Sequence, residues 1–88
     1  MSRVDIFLLA IMASQKELSL AKITQKVAEA NINKPPSRLA IYKRLQVLSH
    51  RKLINVFWQK KEKFYKISIE GKSAITEFKN QLNRAESA

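Results

Sequence analysis

The sequence predicts an α+β fold, mainly α, in the order helix, helix, helix, strand, strand, helix. Three observations predict it. Apolar residues recur at helical spacing in four separate stretches. A block rich in β-branched and aromatic residues, Leu53 to Ile69, is divided by a charged turn. Two adjacent prolines, Pro35 and Pro36, forbid one continuous helix between the second and third helical stretches. With 88 residues the chain holds one core, so residues 1–88 are expected to form a single domain. Hydrophobic residues make up 45% and charged residues 27%, a globular rather than a disordered balance.

In chain order, Val4, Ile6, Phe7, Leu8, Ile11 and Met12 form a broad apolar stripe, predicting a first helix over about 3–14 with Ser2 as its cap. Being apolar nearly all round, this helix calls for cover on more than one side. Ser19 is a good N-cap for a second helix, 20–30, with Leu20, Ile23, Val27 and Ala30 on one face. The pre-proline position biases Lys34 toward extended backbone. Ser37 then caps a third helix, 38–51, in which Ile41, Leu45 and Leu48 point inward. The runs 53–58 and 64–69 predict a β-hairpin. Its connection, Lys60-Lys61-Glu62-Lys63, lacks an Asn-Gly or Asp-Gly pair, so a loop of four or five residues is expected. Ala74, Ile75, Phe78, Leu82 and Ala85 predict an amphipathic last helix over about 70–85.

Charge is concentrated. From Ala30 to Lys61 there are eight basic residues and no Asp or Glu, against nine basic and seven acidic residues elsewhere; the net charge is +10. A positive field confined to one part of a fold suits a surface that meets phosphates. Other functions lose support. Without cysteine there is no disulfide, thiolate nucleophile or thiol switch, and one histidine, His50, leaves too few good ligands for a typical zinc site. No Gly-rich phosphate loop or paired inward carboxylates are legible; Asp5, Glu17, Glu29 and Glu70 are scattered. The expectation is a protein without enzymatic activity, cofactor, metal or evident small-molecule ligand. The apolar run Ile6 to Met12 is too short to span a bilayer and no cleavage site follows it, so neither anchor nor signal peptide is read and a cytoplasmic, nucleoid-associated setting is expected.

Three short helices followed by a hairpin is the winged helix-turn-helix arrangement, in which the third helix enters the DNA major groove. With Ile41, Leu45 and Leu48 inward, the opposite face carries Leu39, Lys43, Gln46 and His50, with Val47 alongside. Candidate base contacts are Arg38, Leu39, Lys43 and Gln46. Arg38 or Lys43 suits guanine, Gln46 suits adenine and Leu39 suits a thymine methyl. Lys34, Tyr42, Arg44, Arg51 and Lys52 are candidate phosphate contacts, supplying affinity and salt dependence rather than sequence choice. The wing, 58–66, offers Lys60, Lys61, Lys63 and Lys66 to the backbone or the minor groove. Trp58 is expected to pack within the hairpin beside Phe57 and Phe64, the alternatives being an exposed wedge, a stacking platform or part of a docking surface.

Tyr42-Lys43-Arg44-Leu45-Gln46-Val47-Leu48-Ser49-His50-Arg51-Lys52-Leu53-Ile54 resembles the PadR pattern of a tyrosine, two leucines three apart and a Gly-Leu-Ile ending. Phe64-Tyr65-Lys66-Ile67-Ser68-Ile69-Glu70-Gly71 is similar to the aromatic pair, Leu-Thr and glycine that close the wing in the same group, and Leu18-Ser19-Leu20-Ala21-Lys22-Ile23 resembles the start of the second helix in the MarR group. Lys52 stands where glycine is usual, at a left-handed position, and Ala40 where threonine is common. The resemblance implies a homodimeric winged-helix regulator, and with the basic face the expected function is a transcription repressor that binds double-stranded DNA. Its last helix would pair with its mate through Ile75, Phe78 and Leu82, helped by Phe7, Leu8 and Ile11 of the first, the alternative being that it folds back on its own domain. The competing expectations are a winged helix used for protein or RNA contact and a non-specific architectural DNA binder.

Overall fold

The computed structural model describes residues 2–30 and 32–87, with side chains described as far as Leu82. Helix α1 (Arg3–Ala13) starts at a reciprocal cap: the Asp5 N–H donates to Ser2 Oγ (3.2 Å) and the Ser2 N–H donates to Asp5 Oδ2 (3.3 Å), satisfying two otherwise orphaned donors. Helices α2 (Leu20–Glu29) and α3 (Arg38–His50) start in the same economical way, with Ser19 accepting from the Lys22 N–H and Ser37 from the Ala40 N–H. Strands β2 (Ile54–Gln59) and β3 (Glu62–Ile67) make the hairpin, and α4 (Ile69–Ser87) follows.

The junction from α3 into the hairpin explains Lys52. It takes φ 62°, its N–H donates to the Ser49 carbonyl, and the Leu53 N–H donates to the Leu48 carbonyl, both at 3.0 Å. These two bonds form a Schellman motif, which stops the helix and turns the chain sharply into β2. Ser68 then ties the wing's end to that turn: its hydroxyl donates to the Lys52 carbonyl (2.8 Å) and accepts from the Gly71 N–H (3.0 Å), capping α4. Gly71 is required by space, because a Cβ there would overlap the Leu53 carbonyl oxygen and lie 2.7 Å from the Ile67 side chain.

One cluster of buried side chains joins these elements: Leu8, Leu9 and Met12 from α1, Ile23 and Val27 from α2, Ile41, Leu45 and Leu48 from α3, Ile54, Tyr65 and Ile67 from the hairpin, and Ile75 from α4.

Three expectations need correction. The sheet has three strands, in the order β1-β3-β2, because Leu18–Ser19 forms a short β1 paired antiparallel with Tyr65 and Phe64; two residues are too few to show a period-two pattern. The hairpin connection is two residues long. Gln59 pairs with Glu62, and Lys60 and Lys61 occupy the turn with φ 52° and 65°. Positive φ at both central residues is the type I′ geometry, whose twist matches that of the flanking strands; here two lysines take it in place of Asn-Gly. Lys34 is not extended but has φ 56°: the following proline disfavours the right-handed helix, and the bend at this point takes the positive-φ side.

Candidate nucleic-acid interface

The face of α3 turned away from the core is polar, basic and free of carboxylates. Ile41, Leu45 and Leu48 have no exposed surface, whereas Arg38, Leu39, Lys43, Gln46, Val47 and His50 are exposed. The helical period produces this division. Leu39, 61% exposed, is an apolar residue presented to the surroundings near the helix start, where Arg38 also lies. The α3 N-terminus has no acidic residue in its first turn, so no carboxylate of the helix's own start offsets its positive end.

Tyr42 is half-buried at the rim of this face. Its hydroxyl accepts from Gln46 Nε2 (3.1 Å), one helical turn on, which steadies both side chains. Among the described residues the hydroxyl donates to no acceptor, so its proton is free to be donated. The Lys63 ammonium lies 5.5 Å from the centre of the Tyr42 ring and 5.8 Å from that of Tyr65, within cation–π range of both. This contact bridges α3 and the hairpin. Burial, with the nearby Tyr42 hydroxyl adding to it, pushes the Tyr65 phenol above its ordinary value of 10.0.

The pleat sorts the wing residues. Tyr65 and Ile67 are buried and Lys63 half-buried on the face toward α3, while Glu62 and Lys66 are exposed on the opposite face. Lys60, Lys61 and Lys63 therefore stand apart from Lys66, although all four are close in sequence. Trp58 is not packed against the phenylalanines. Phe57 and Phe64 stack on each other with centroids 6.0 Å apart, and Trp58, pointing to the other face opposite Lys63, is 70% exposed.

Arg44 is engaged elsewhere. Its Nε donates to Asp5 Oδ1 (2.7 Å) and its Nη2 to Asp5 Oδ2 (2.6 Å), a bidentate pair between α3 and α1 in which Asp5 has no exposed surface. Burial works to raise the Asp5 carboxyl, but the hydrogen bond and charge of Arg44 and the Ser2 N–H together hold it below its ordinary value of 3.8. The same bond raises the Arg44 guanidinium above its ordinary range. Arg44, expected as a phosphate contact, is thus paired with Asp5 inside the protein, with 37% of its side chain exposed. Asp5 was missed because its partner is 39 positions away; the Ser2-to-Asp5 spacing signalled its capping role alone.

The remaining candidates divide similarly. Lys34, Arg51 and Lys52 are exposed; Lys34 also lines, with Arg3, Val4, Phe7, Leu8, Val27, Ile32 and Pro36, a half-open apolar cavity of about 270 Å³. Of the dimer candidates, Leu8 and Ile75 are buried in the chain's own core, at 0% and 4% exposure, and are not available to a second copy. Phe7, Ile11 and Phe78 are half-buried and Leu82 is 48% exposed. Among the described residues no helix is long and apolar enough to cross a membrane, and no group of acidic, histidine or cysteine side chains is placed to hold a metal.

The sequence matches no protein-family model and no curated protein. Solved structures share the fold. A PadR family transcription regulator from Clostridium difficile has a TM-score of 0.84 at 18% identity, over 98% of this chain and 93% of that one. MepR from Staphylococcus aureus, in a mutant form, has a TM-score of 0.83 at 14% identity over 99% of this chain and 61% of its own. BpsR of Bordetella bronchiseptica, described as a protein whose DNA binding is regulated by 6-hydroxynicotinic acid, has a TM-score of 0.78 at 16% identity over 97% of this chain and 60% of its own. These neighbours are PadR-family and MarR-like winged-helix regulators. At such identities the likeness is one of fold, and this chain has the winged helix-turn-helix fold.

Proposed function

We propose that this winged-helix chain is a double-stranded DNA-binding transcription regulator, a homodimeric repressor that acts by binding rather than by catalysis. The observation that carries the reading is the outward face of α3, with Arg38, Leu39, Lys43 and Gln46 exposed and no carboxylate, beside a hairpin turn of two lysines. A major groove about 12 Å wide accepts one helix. In that seat Arg38 and Lys43 donate to guanine O6 and N7, Gln46 pairs with adenine, and Leu39 meets a thymine methyl. Tyr42, Lys34, Arg51 and Lys52 hold phosphates, and Lys60 and Lys61 follow the backbone into the neighbouring minor groove. DNA binding by BpsR, which shares the fold, supports the reading.

The test is binding of labelled duplexes, single strands and RNA at several salt concentrations. The expected result is a preference for duplex that narrows to a palindromic site. Five cationic contacts per protomer (Lys34, Arg51, Lys52, Lys60, Lys61) give a slope of log K against log salt as steep as about −9 for a dimer. Arg38→Ala or Gln46→Ala then costs about 1–3 kcal/mol and relaxes discrimination at one base pair, whereas Lys60→Ala weakens all sequences alike. Absence of binding to any nucleic acid at low salt, or equal binding to RNA and duplex, would overturn the reading in favour of a docking module.

A further inference from the structure

Trp58 has no packing role that accounts for its position. In the hairpin register Ile54, Val56 and Trp58 lie opposite Ile67, Tyr65 and Lys63, and alternation places these six on the face turned toward the core and α3. Burial falls along that face toward the turn: Ile54 is 2% exposed, Val56 is half-buried and Trp58 is 70% exposed. The indole therefore continues the inner face of the sheet beyond the protein's own body. The Phe57–Phe64 stack is on the other side and gives it no cover.

Its surroundings define what could cover it. Lys60 and Lys61 are exposed two and three residues on, and Lys63 faces it across the strands; Glu62, the one carboxylate in this part of the hairpin, is on the outer face. The two-residue turn makes the hairpin a short stiff ribbon rather than a loose loop. The Lys63 contact with Tyr42 ties that ribbon to α3. The ring is thus held at a fixed place relative to the outward face of α3, so its occupant meets both. An apolar ring ringed by cations fits a polyanion with an apolar interior, and a duplex whose major groove holds α3 presents its adjacent minor groove to the wing.

We propose that Trp58 is a minor-groove wedge: its indole lies against sugars and base edges beside the recognition helix's site and bends the duplex toward the major groove. The inference rests on the reading that the chain binds duplex DNA. Wedge side chains partially unstack a base step, at a cost offset by the further contacts that bent DNA makes with the protein. Lys60 and Lys61 provide such contacts on the flanking phosphates.

Because Trp58 is the single tryptophan, its intrinsic fluorescence reports on this position alone. Two signals are followed in one titration with duplex: anisotropy of a label on the DNA, which reports binding, and Trp58 emission with acrylamide quenching, which reports contact. The expected result is binding accompanied by at least about twofold protection of Trp58 from quencher. Trp58→Ala is expected to weaken duplex binding about tenfold and, as straighter DNA draws away from Lys60 and Lys61, to make the salt slope shallower, whereas Trp58→Phe is expected to keep most of the affinity and of the slope. The bend, measured by energy transfer between labelled DNA ends, is smaller in the Trp58→Ala complex. As the ring is exposed, unchanged thermal melting of Trp58→Ala is expected and excludes misfolding as the cause. Normal binding with unprotected Trp58 and an unaffected Trp58→Ala would overturn the wedge and leave the DNA reading standing. Absence of duplex binding in the anisotropy signal would overturn both.

Discussion

Asp5 is a fully buried carboxylate whose charge is matched by one arginine, and the two partners are not equivalent. Arg44 keeps 37% of its side chain exposed and can turn to solvent if released, whereas Asp5 cannot. Asp5→Asn therefore destabilises moderately, while Arg44→Met strands a buried charge and destabilises more. Urea denaturation at pH 7 orders the two variants, and a milder Arg44→Met would refute the pairing. Acid separates them further. The folded pKa of Asp5 is lowered, so the pair's contribution is present above the unfolded value near 4 and lost as pH falls through the folded one. The wild-type melting temperature should accordingly drop on acidification by more than that of Asp5→Asn. In Arg44→Met burial is opposed only by the hydrogen bonds to Ser2, so the carboxyl rises relative to the wild type, and this variant's deficit is largest at neutral pH and shrinks as Asp5 protonates. In DNA binding, Arg44→Met keeps the wild-type salt slope; a slope lowered by about 1 would restore Arg44 to the phosphate contacts.

At the scale of elements, two tight connections carry lysines where glycine or asparagine is usual, and each bends the chain at a cost. Lys52, at φ 62°, sits in a region that disfavours a side chain by about 1–2 kcal/mol. Lys52→Gly relieves that strain, with part of the gain returned as unfolded-state entropy. The expected net is about 1 kcal/mol of added stability, a melting temperature higher by about 4–8 °C for a domain of this size, and a salt slope shallower by about 1 per protomer. Thermal melts followed by circular dichroism check the first part; an unchanged or lower melting point would show that the Lys52 stem contributes packing that outweighs the strain. These junctions also mark where the sequence was legible. The outward face of α3 could be read because Ile41, Leu45 and Leu48 fix a 3.6-residue period. The orientation of the wing could not. Without a turn signature at Lys60–Lys61 the register stayed open, and a slip of one residue exchanges the faces of a strand, moving Trp58 and Lys63 from inside to outside. The short β1 was hidden for a related reason: its pairing with β3 is set by tertiary contact, not by local pattern.

For the whole molecule, the winged-helix body accounts for the core but not for all of α4. The helix has 19 residues, about 28 Å at 1.5 Å per residue. Its core anchor, Ile75, lies in the first half. Beyond it Phe78 is half-buried, borders an open groove with Ile6 of α1, and is followed one turn on by Leu82, 48% exposed. An apolar edge continuing past the domain's own cover suits an isologous contact, in which the same residues of two copies meet about a two-fold axis. On that reading Leu82→Glu places like charges close together across the axis while leaving the exposed site tolerant within each monomer. Sedimentation equilibrium should show a dimer for the wild type and a monomer for Leu82→Glu, with unchanged helical content. Two recognition helices one DNA turn apart, about 34 Å, bind a palindrome as a linked pair. The monomer loses that linkage, so its affinity for the full palindrome should fall by about 10²–10⁴-fold and approach that for one half-site, while half-site affinity itself is unchanged. A Leu82→Glu protein that remains dimeric and binds the palindrome normally would remove α4 from the interface and leave Phe7 and Ile11 of α1 to form it.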